Sequence, residues 1–167
     1  SPCGAGTVST ATNVLACSKC PVGTFISTLG QTSCKVCDQG FYAASAGMSV
    51  CTACPKGKYN DGNGILSHDS ADDCTICQAG KFTETFNASA CSSCLPGRYL
   101  SDQSTSSTLH DSSNDCAPCE KGKYNAQDGQ PSCTVCPINF YENSTGQTEC
   151  KRCPSGRSTM ANPMPQA

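Results

Sequence analysis

Residues 119–136 read CEKGKYNAQDGQPSCTVC. Gly122 follows Cys119 by three positions and Tyr124 by five; Gly129 stands four before Cys133, which opens a Cys-x-x-Cys pair closed by Cys136. Gly122 marks a turn that needs φ > 0, and Gly129 marks a second turn. The stretch reads as turn, aromatic strand segment, turn, and return to a cysteine. The same grammar recurs to either side. Counted from the second cysteine of each pair, with the lone Cys3 as the first, repeats start at residues 3, 20, 37, 54, 77, 94, 119, 136 and 153. Two repeats are long, 54–76 and 94–118, and the others step by 17. Tandem repeats therefore fill residues 3–153, and 154–167 is a degenerate partial unit or tail.

The phase holds at three further positions. Three residues after each start come Gly6, Gly23, Gly40, Gly57, Gly80, Gly97, Gly122, Asn139 and Gly156. Gly and Asn accept a left-handed backbone most readily. Five residues after each start come Val8, Phe25, Tyr42, Tyr59, Phe82, Tyr99, Tyr124, Tyr141 and Ser158. Each ring is expected to pack on neighbouring disulfides as a miniature core. Four residues before the closing cysteine of the short repeats stand Asn13, Gly30, Gly47, Asn87, Gly129 and Gly146, a second turn. The spacers lack the apolar period of an amphipathic helix.

Composition agrees. Of 167 residues, 17 are Cys, and Leu, Ile, Val and Phe together number 21. That is too little apolar material for one large core, so ordinary enzyme folds are excluded. A net charge of −2 argues against a nucleic-acid partner. No apolar run reaches the ~20 residues of a membrane helix, so no membrane insertion is expected within this segment. There is no initiator Met and no signal-type leader, which reads as a processed protein or a segment of a longer one.

Spacing ranks the cysteine chemistry. If the second cysteine of each pair bonds the first of the next, the bonds are Cys3–Cys17, Cys20–Cys34, Cys37–Cys51, Cys54–Cys74, Cys77–Cys91, Cys94–Cys116, Cys119–Cys133 and Cys136–Cys150. Cys3 then has a partner at the standard interval, and only Cys153 is left over. Each such loop contributes about 3 kcal/mol by restricting the unfolded chain. The rival is zinc, because paired Cys-x-x-Cys motifs approach zinc-ribbon spacing. It leaves Cys3 unused, and every spacer carries one signature where zinc sites would alternate with linkers. A redox role needs one pair set apart, and none is. The disulfide reading implies an extracellular or secretory compartment.

The units CPKGKYN (54–60), CEKGKYNAQDGQPSCTVC (119–136) and CPVGTFISTLGQTSCKVC (20–37) resemble the ephrin-receptor-like cysteine-rich repeat and the single-disulfide module of TNF-receptor-like domains. The resemblance covers residues 3–153. It implies small disulfide-rich repeats: an elongated rod of tandem single-disulfide loops, with short β segments and almost no helix. Contacts are expected between neighbouring repeats only, as in other repeat arrays. Such repeats serve as spacers, adhesion surfaces, receptor stalks and coat components. No kinase or death-domain segment lies in these residues, so receptor signalling does not carry over.

Few residues suggest chemistry. His68 and His110 each stand six before a cysteine, in HDSADDC and HDSSNDC. They read either as a cation site with Asp69, Asp72 and Asp73, or with Asp111 and Asp115, or as a capped turn replacing the second turn of short repeats. Lys56, Lys58, Lys81, Arg98, Lys121 and Lys123 share a phase and read as an edge for an acidic glycan or as solvated loop charges. Asn87-Ala88-Ser89 and Asn143-Ser144-Thr145 are N-glycosylation sequons. The tract 101–113 is either a flexible loop or a carrier of O-linked sugar.

No catalytic residue, metal or cofactor is expected. Cys153 is expected to bond beyond residue 167 or in another molecule, ahead of remaining a free thiol. The function expected is a structural or adhesive module of an extracellular coat or filament, a flagellar hair (mastigoneme) being one such assembly. Its partners would be other protein subunits and glycans. The alternative is a ligand-binding receptor ectodomain that uses the long repeats.

Overall fold

A computed structural model describes residues 2–9 and 16–159. Asn13 and the end of the tail, Pro163 included, lie outside the described residues. The chain divides into two compact units, Ser1–Cys77 with Thr83–Cys91, and Gln78–Phe82 with Ser92–Ala167.

Eight disulfides join Cys3–Cys17, Cys20–Cys34, Cys37–Cys51, Cys54–Cys74, Cys77–Cys91, Cys94–Cys116, Cys119–Cys133 and Cys136–Cys150. Each repeat opens with a turn; in repeat 20, named by its first residue, Thr24 N–H donates to Pro21 O at 3.2 Å. The φ > 0 position inside that turn is the one the third residue fills, at 77° for Gly23 and 68° for Asn139. This is a type II turn, which demands such a residue. A two-residue strand follows and pairs antiparallel with the two residues inside the next Cys-x-x-Cys.

In the first compact unit the pairs are Thr7–Val8 with Ser18–Lys19, Thr24–Phe25 with Lys35–Val36, Phe41–Tyr42 with Thr52–Ala53, and Lys58–Tyr59 with Thr75–Ile76. In the second they are Lys81–Phe82 with Ser92–Ser93, Arg98–Tyr99 with Ala117–Pro118, Lys123–Tyr124 with Thr134–Val135, and Phe140–Tyr141 with Lys151–Arg152. The strands stay short because a left-handed turn bounds one and a disulfide at each end bounds the other. Four single-turn 3₁₀ segments are the only helix among the described residues: Ile65–Ser67, Ala71–Asp73, Ser107–Leu109 and Ser113–Asp115.

Backbone bonds tie each repeat to the next. In the first compact unit Gly23 N–H donates to Ala43 O and Gly40 N–H to Asn60 O, each at 2.8 Å, and Gly47 N–H returns to Cys20 O at 2.8 Å. In the second, Gly97 N–H donates to Asn125 O, and Gly146 N–H to Cys119 O, both at 2.8 Å. These pairings satisfy polar groups that a loop without a large core would otherwise leave to water.

Two expectations need correction. Contacts are not confined to neighbouring repeats. A Cβ on Gly40 would stand 2.1 Å from Asn87 O, and one on Gly97 2.2 Å from Gly146 O, in each case two repeats further on. Absence of a side chain at the first turn lets a second turn lie directly on it. The aromatic rings are also not the core: Phe25, Tyr42, Tyr59, Phe82, Tyr99, Tyr124 and Tyr141 are only half-buried. The buried set is chiefly the cysteines that start the repeats, apart from the half-buried Cys136 and Cys153, with Val8, the two histidines and, in six repeats, the residue after the ring: Ala43, Asn60, Thr83, Leu100, Asn125 and Glu142. The strand alternates faces, so the position beside the ring points inward while the ring lies along the flank.

Candidate functional site

The long repeats depart most from the common plan. In both, the second turn is replaced by two 3₁₀ segments and a fully buried histidine. His68 and His110 are 1% and 0% exposed, the two largest side chains so enclosed. Cys54–Cys74 and Cys94–Cys116 are accordingly the disulfides buried at both ends. The second segment of each is set by a capping box. Ser70 accepts from Asp72 N–H at 3.1 Å while Ser70 N–H donates to Asp73 Oδ2 at 2.8 Å. Ser112 accepts from Asn114 N–H at 3.2 Å and Ser112 N–H donates to Asp115 Oδ2 at 2.9 Å.

The ring nitrogens are all occupied. His68 Nδ1 lies 2.7 Å from Phe41 O and 3.2 Å from Asn60 Nδ2, and Nε2 lies 3.1 Å from Gly62 O. Asn60 Nδ2 also donates to Ser67 O at 2.7 Å, closing the loop behind the ring. His110 Nδ1 lies 2.7 Å from Lys81 O and Nε2 2.9 Å from Asp102 Oδ2. Thr105 donates to the same carboxylate through its hydroxyl and, at 2.8 Å, through its N–H. The Thr105 hydroxyl does most to lower the Asp102 pKa from 3.8 to about 2; burial, the next largest effect, opposes it, and the Thr105 N–H, His110 and the Ser106 N–H add to the lowering.

The cation reading of the His–Asp clusters fails for a physical reason. Both imidazoles point inward with their nitrogens occupied, and Asp73 and Asp115 are committed to caps. Among the described residues, no group of three His, Cys, Asp or Glu is placed to hold a metal. The tract 101–113 is likewise not a free loop, being folded around Asp102 and His110. Asp102, Thr105 and Asn60 escaped the sequence reading because nothing in their spacing marks them as partners of a histidine.

Three of the six basic residues of the shared phase have partners of their own. Arg98 Nη1 donates to Cys116 O at 2.8 Å, Lys123 pairs with Glu120 at 3.0 Å, and the Lys56 ammonium lies 6.0 Å from the Phe86 ring centroid. Asn87 and Asn143 are both exposed. Asn87 sits in the second turn with φ of 55° and donates its N–H to Cys54 O at 2.9 Å. Asn143 follows the buried Glu142, whose Oε1 accepts from Asn143 N–H at 3.0 Å and Ser144 N–H at 3.1 Å. Burial pushes the Glu142 pKa up, but the Ser144 N–H, the Lys151 ammonium and the Asn143 N–H together hold it below the ordinary value. Cys153 is half-buried and is the one free cysteine among the described residues.

The disulfide ladder with a left-handed turn in every repeat is the observation that decides the family. A family model described as tyrosine-protein kinase ephrin type A/B receptor-like matches residues 6–47, 23–65, 107–140 and 127–162, more than half of the chain. The chain belongs to this ephrin-receptor-like family. The matched residues are its cysteine repeats, and the first two matched segments are offset by one repeat. Ephrin-receptor-like repeats are a non-catalytic, extracellular kind of module, and eight disulfides accord with an oxidising compartment. No helix among the described residues is long and apolar enough to cross a membrane. No curated protein matches the chain.

Proposed function

We propose that the chain is a structural or adhesive module of an extracellular assembly, a coat or a filament of the flagellar-hair kind, with other protein subunits and glycans as its partners. The observation that carries this reading is the backbone ladder. Among the described residues, seven turn N–H groups and five starting carbonyls, those of Cys3, Cys20, Cys54, Cys94 and Cys119, bond to the next repeat, which supports a role in holding repeats in register. A built recognition site would need side chains converging on a ligand, and the inward histidines serve the fold instead. Cys153 is the position for a covalent link beyond the repeats, to later chain or to another subunit, and Asn87 and Asn143 are the positions for glycan. Size-exclusion chromatography and electron microscopy of secreted material, with non-reducing gels of the chain and of Cys153→Ser, test the reading. Polymers or fibres whose covalent dimers vanish on reduction and in Cys153→Ser support it. A monomer that captures a soluble protein ligand through residues 61–67 or 101–109 supports a receptor ectodomain instead.

A further inference from the structure

A cleft of about 620 Å³ in the first compact unit is lined by Lys35, Asp38, Gln39, Asn63, Asn87 and Ser89 among others. That volume is in the range of small-ligand sites, and the lining is rich in hydrogen-bonding side chains. Lys35 Nζ pairs with Asp38 Oδ2 at 3.0 Å, and Gln39 Nε2 donates to Asp61 O at 2.8 Å, which fixes both groups at the cleft. Asn87 and Ser89, both of them members of one sequon, belong to the same lining.

The repeat explains why a sequon arises there. The second turn takes Gly or Asn, and two positions later four of the six short repeats have Thr32, Ser49, Ser89 or Thr148, the other two having Leu15 and Pro131. In those four, Asn at the turn completes Asn-x-Ser/Thr without further change, and repeat 77 is the one that has it. The backbone of Asn87 is held by its N–H on Cys54 O, and its carbonyl packs closely over Gly40, where no Cβ would fit. Its side chain is exposed, so the direction in which it leaves the turn is set while its amide remains accessible. Asn143 does not line this cleft.

We infer that Asn87 carries an N-linked glycan whose first sugars are seated in this cleft. The inference rests on the extracellular reading above. In the transfer, Asn87 Nδ2 bonds to the anomeric carbon of a glycosyl pyrophosphate donor, the bond from that carbon to the phosphate oxygen breaks, and Nδ2 gives up one proton while the pyrophosphate leaves with the electron pair. The hydroxyl and acetamido groups of the first sugars then meet Lys35, Asp38, Gln39 and Asn63.

The test uses the whole chain secreted from a eukaryotic cell, with site-resolved mass spectrometry and amidase release of glycan before and after reduction and denaturation. Asn87→Gly keeps a residue suited to φ > 0 and removes the sequon; Ser89→Ala removes it without touching the turn. The expected result is glycan on Asn87 in the parent chain only. Release from the native protein should be at least about tenfold slower than after unfolding, equivalent to about 1.4 kcal/mol of protection, and Gln39→Ala with Asn63→Ala should reduce that protection. A secreted chain without glycan on Asn87 overturns the inference and leaves the extracellular reading in place. Glycan released equally fast in both states overturns the seating. A chain that stays reduced in the cytosol overturns the inference together with the reading beneath it.

Discussion

In the first long repeat the buried histidine stands between two backbone carbonyls, Phe41 O and Gly62 O; in the second it stands between a carbonyl, Lys81 O, and the carboxylate of Asp102. The disulfides that enclose them span 20 and 22 residues. The two added residues make room for the Asp102–Thr105 turn. The residue after the aromatic ring differs as well. Asn60 donates to Ser67 O in the first repeat, whereas Leu100 packs against Cys94, Cys116 and the half-buried Phe82 in the second. One clasp is thus anchored by a neutral amide and backbone, the other by an apolar plug and a charged side chain. Asp102 gives the second ring a charged partner, whereas the first ring meets only the Gly62 carbonyl on that side. A common shape is held by two sets of polar partners.

Replacing the histidines should produce the largest effects and break both clasps alike. His68→Ala and His110→Ala each empty a fully enclosed site and orphan a buried carbonyl, so a local loss of about 3 kcal/mol is expected. Amide exchange of residues 61–74 or 101–116 measures it, and exchange confined to the mutated repeat is the expected pattern. Equal loosening of both long repeats by one substitution would mean that the clasps are not independent.

Exchanging the anchors sharpens the comparison. Asp102→Asn removes the carboxylate at His110 Nε2 and should speed amide exchange in the second clasp while leaving the first unchanged. Asn60→Leu copies the second repeat into the first, but no carboxylate accompanies it. Loss of the bond to Ser67 O should cost about 1–2 kcal/mol. If Asn60→Leu is neutral, apolar filling rather than the amide holds the first clasp.

Acid separates the two by sign. The folded Asp102 pKa, about 2, lies below its ordinary 3.8, so its contribution is present above the ordinary value and is lost as pH falls through the folded one. Exchange at residues 102–110 should accelerate between about pH 4 and pH 2. The clasp around His68 has no acidic anchor and should not follow in that window. The capping boxes are shared, so Ser70→Ala and Ser112→Ala should have the smallest and most similar effects, about 1 kcal/mol each. A large difference between them would move the cause of the asymmetry from the anchors to the caps.

Much of the plan was legible along the chain, and the histidines mark where legibility stopped. HDSADDC and HDSSNDC announced a special turn, and the serines in them do cap 3₁₀ segments. Their histidines carried the signature of a surface cation site, since His beside Asp has the same letters whether the ring faces water or the interior. The acceptors that settle the matter, Phe41 O and Lys81 O, are 27 and 29 residues away. No local pattern points to a carbonyl in the preceding repeat. Asp102 was equally hidden, being one polar residue in a tract of serines and threonines.

Chain sequence by itself determined what a single Cα or a short loop decides. Only Gly and Asn fill the first-turn position, because φ > 0 is a demand made by that residue's own backbone, and the left-handed angle is present even at Asn139. Cysteine spacing set the closed loops, because a loop's closure depends on its own length. Tertiary structure alone decided which residues are buried. The inward position after the ring holds Ala43, Asn60, Thr83, Leu100, Asn125 or Glu142, while Ile26 after Phe25 stays half-buried, so no residue type marks it; its cover comes from the neighbouring repeat. It also decided which turn lies on which: Gly40 and Gly97 make the same local demand for φ > 0, and Asn87 O lies against the one and Gly146 O against the other. The demand comes from each residue's own backbone, whereas the carbonyl that covers it arrives from two repeats away.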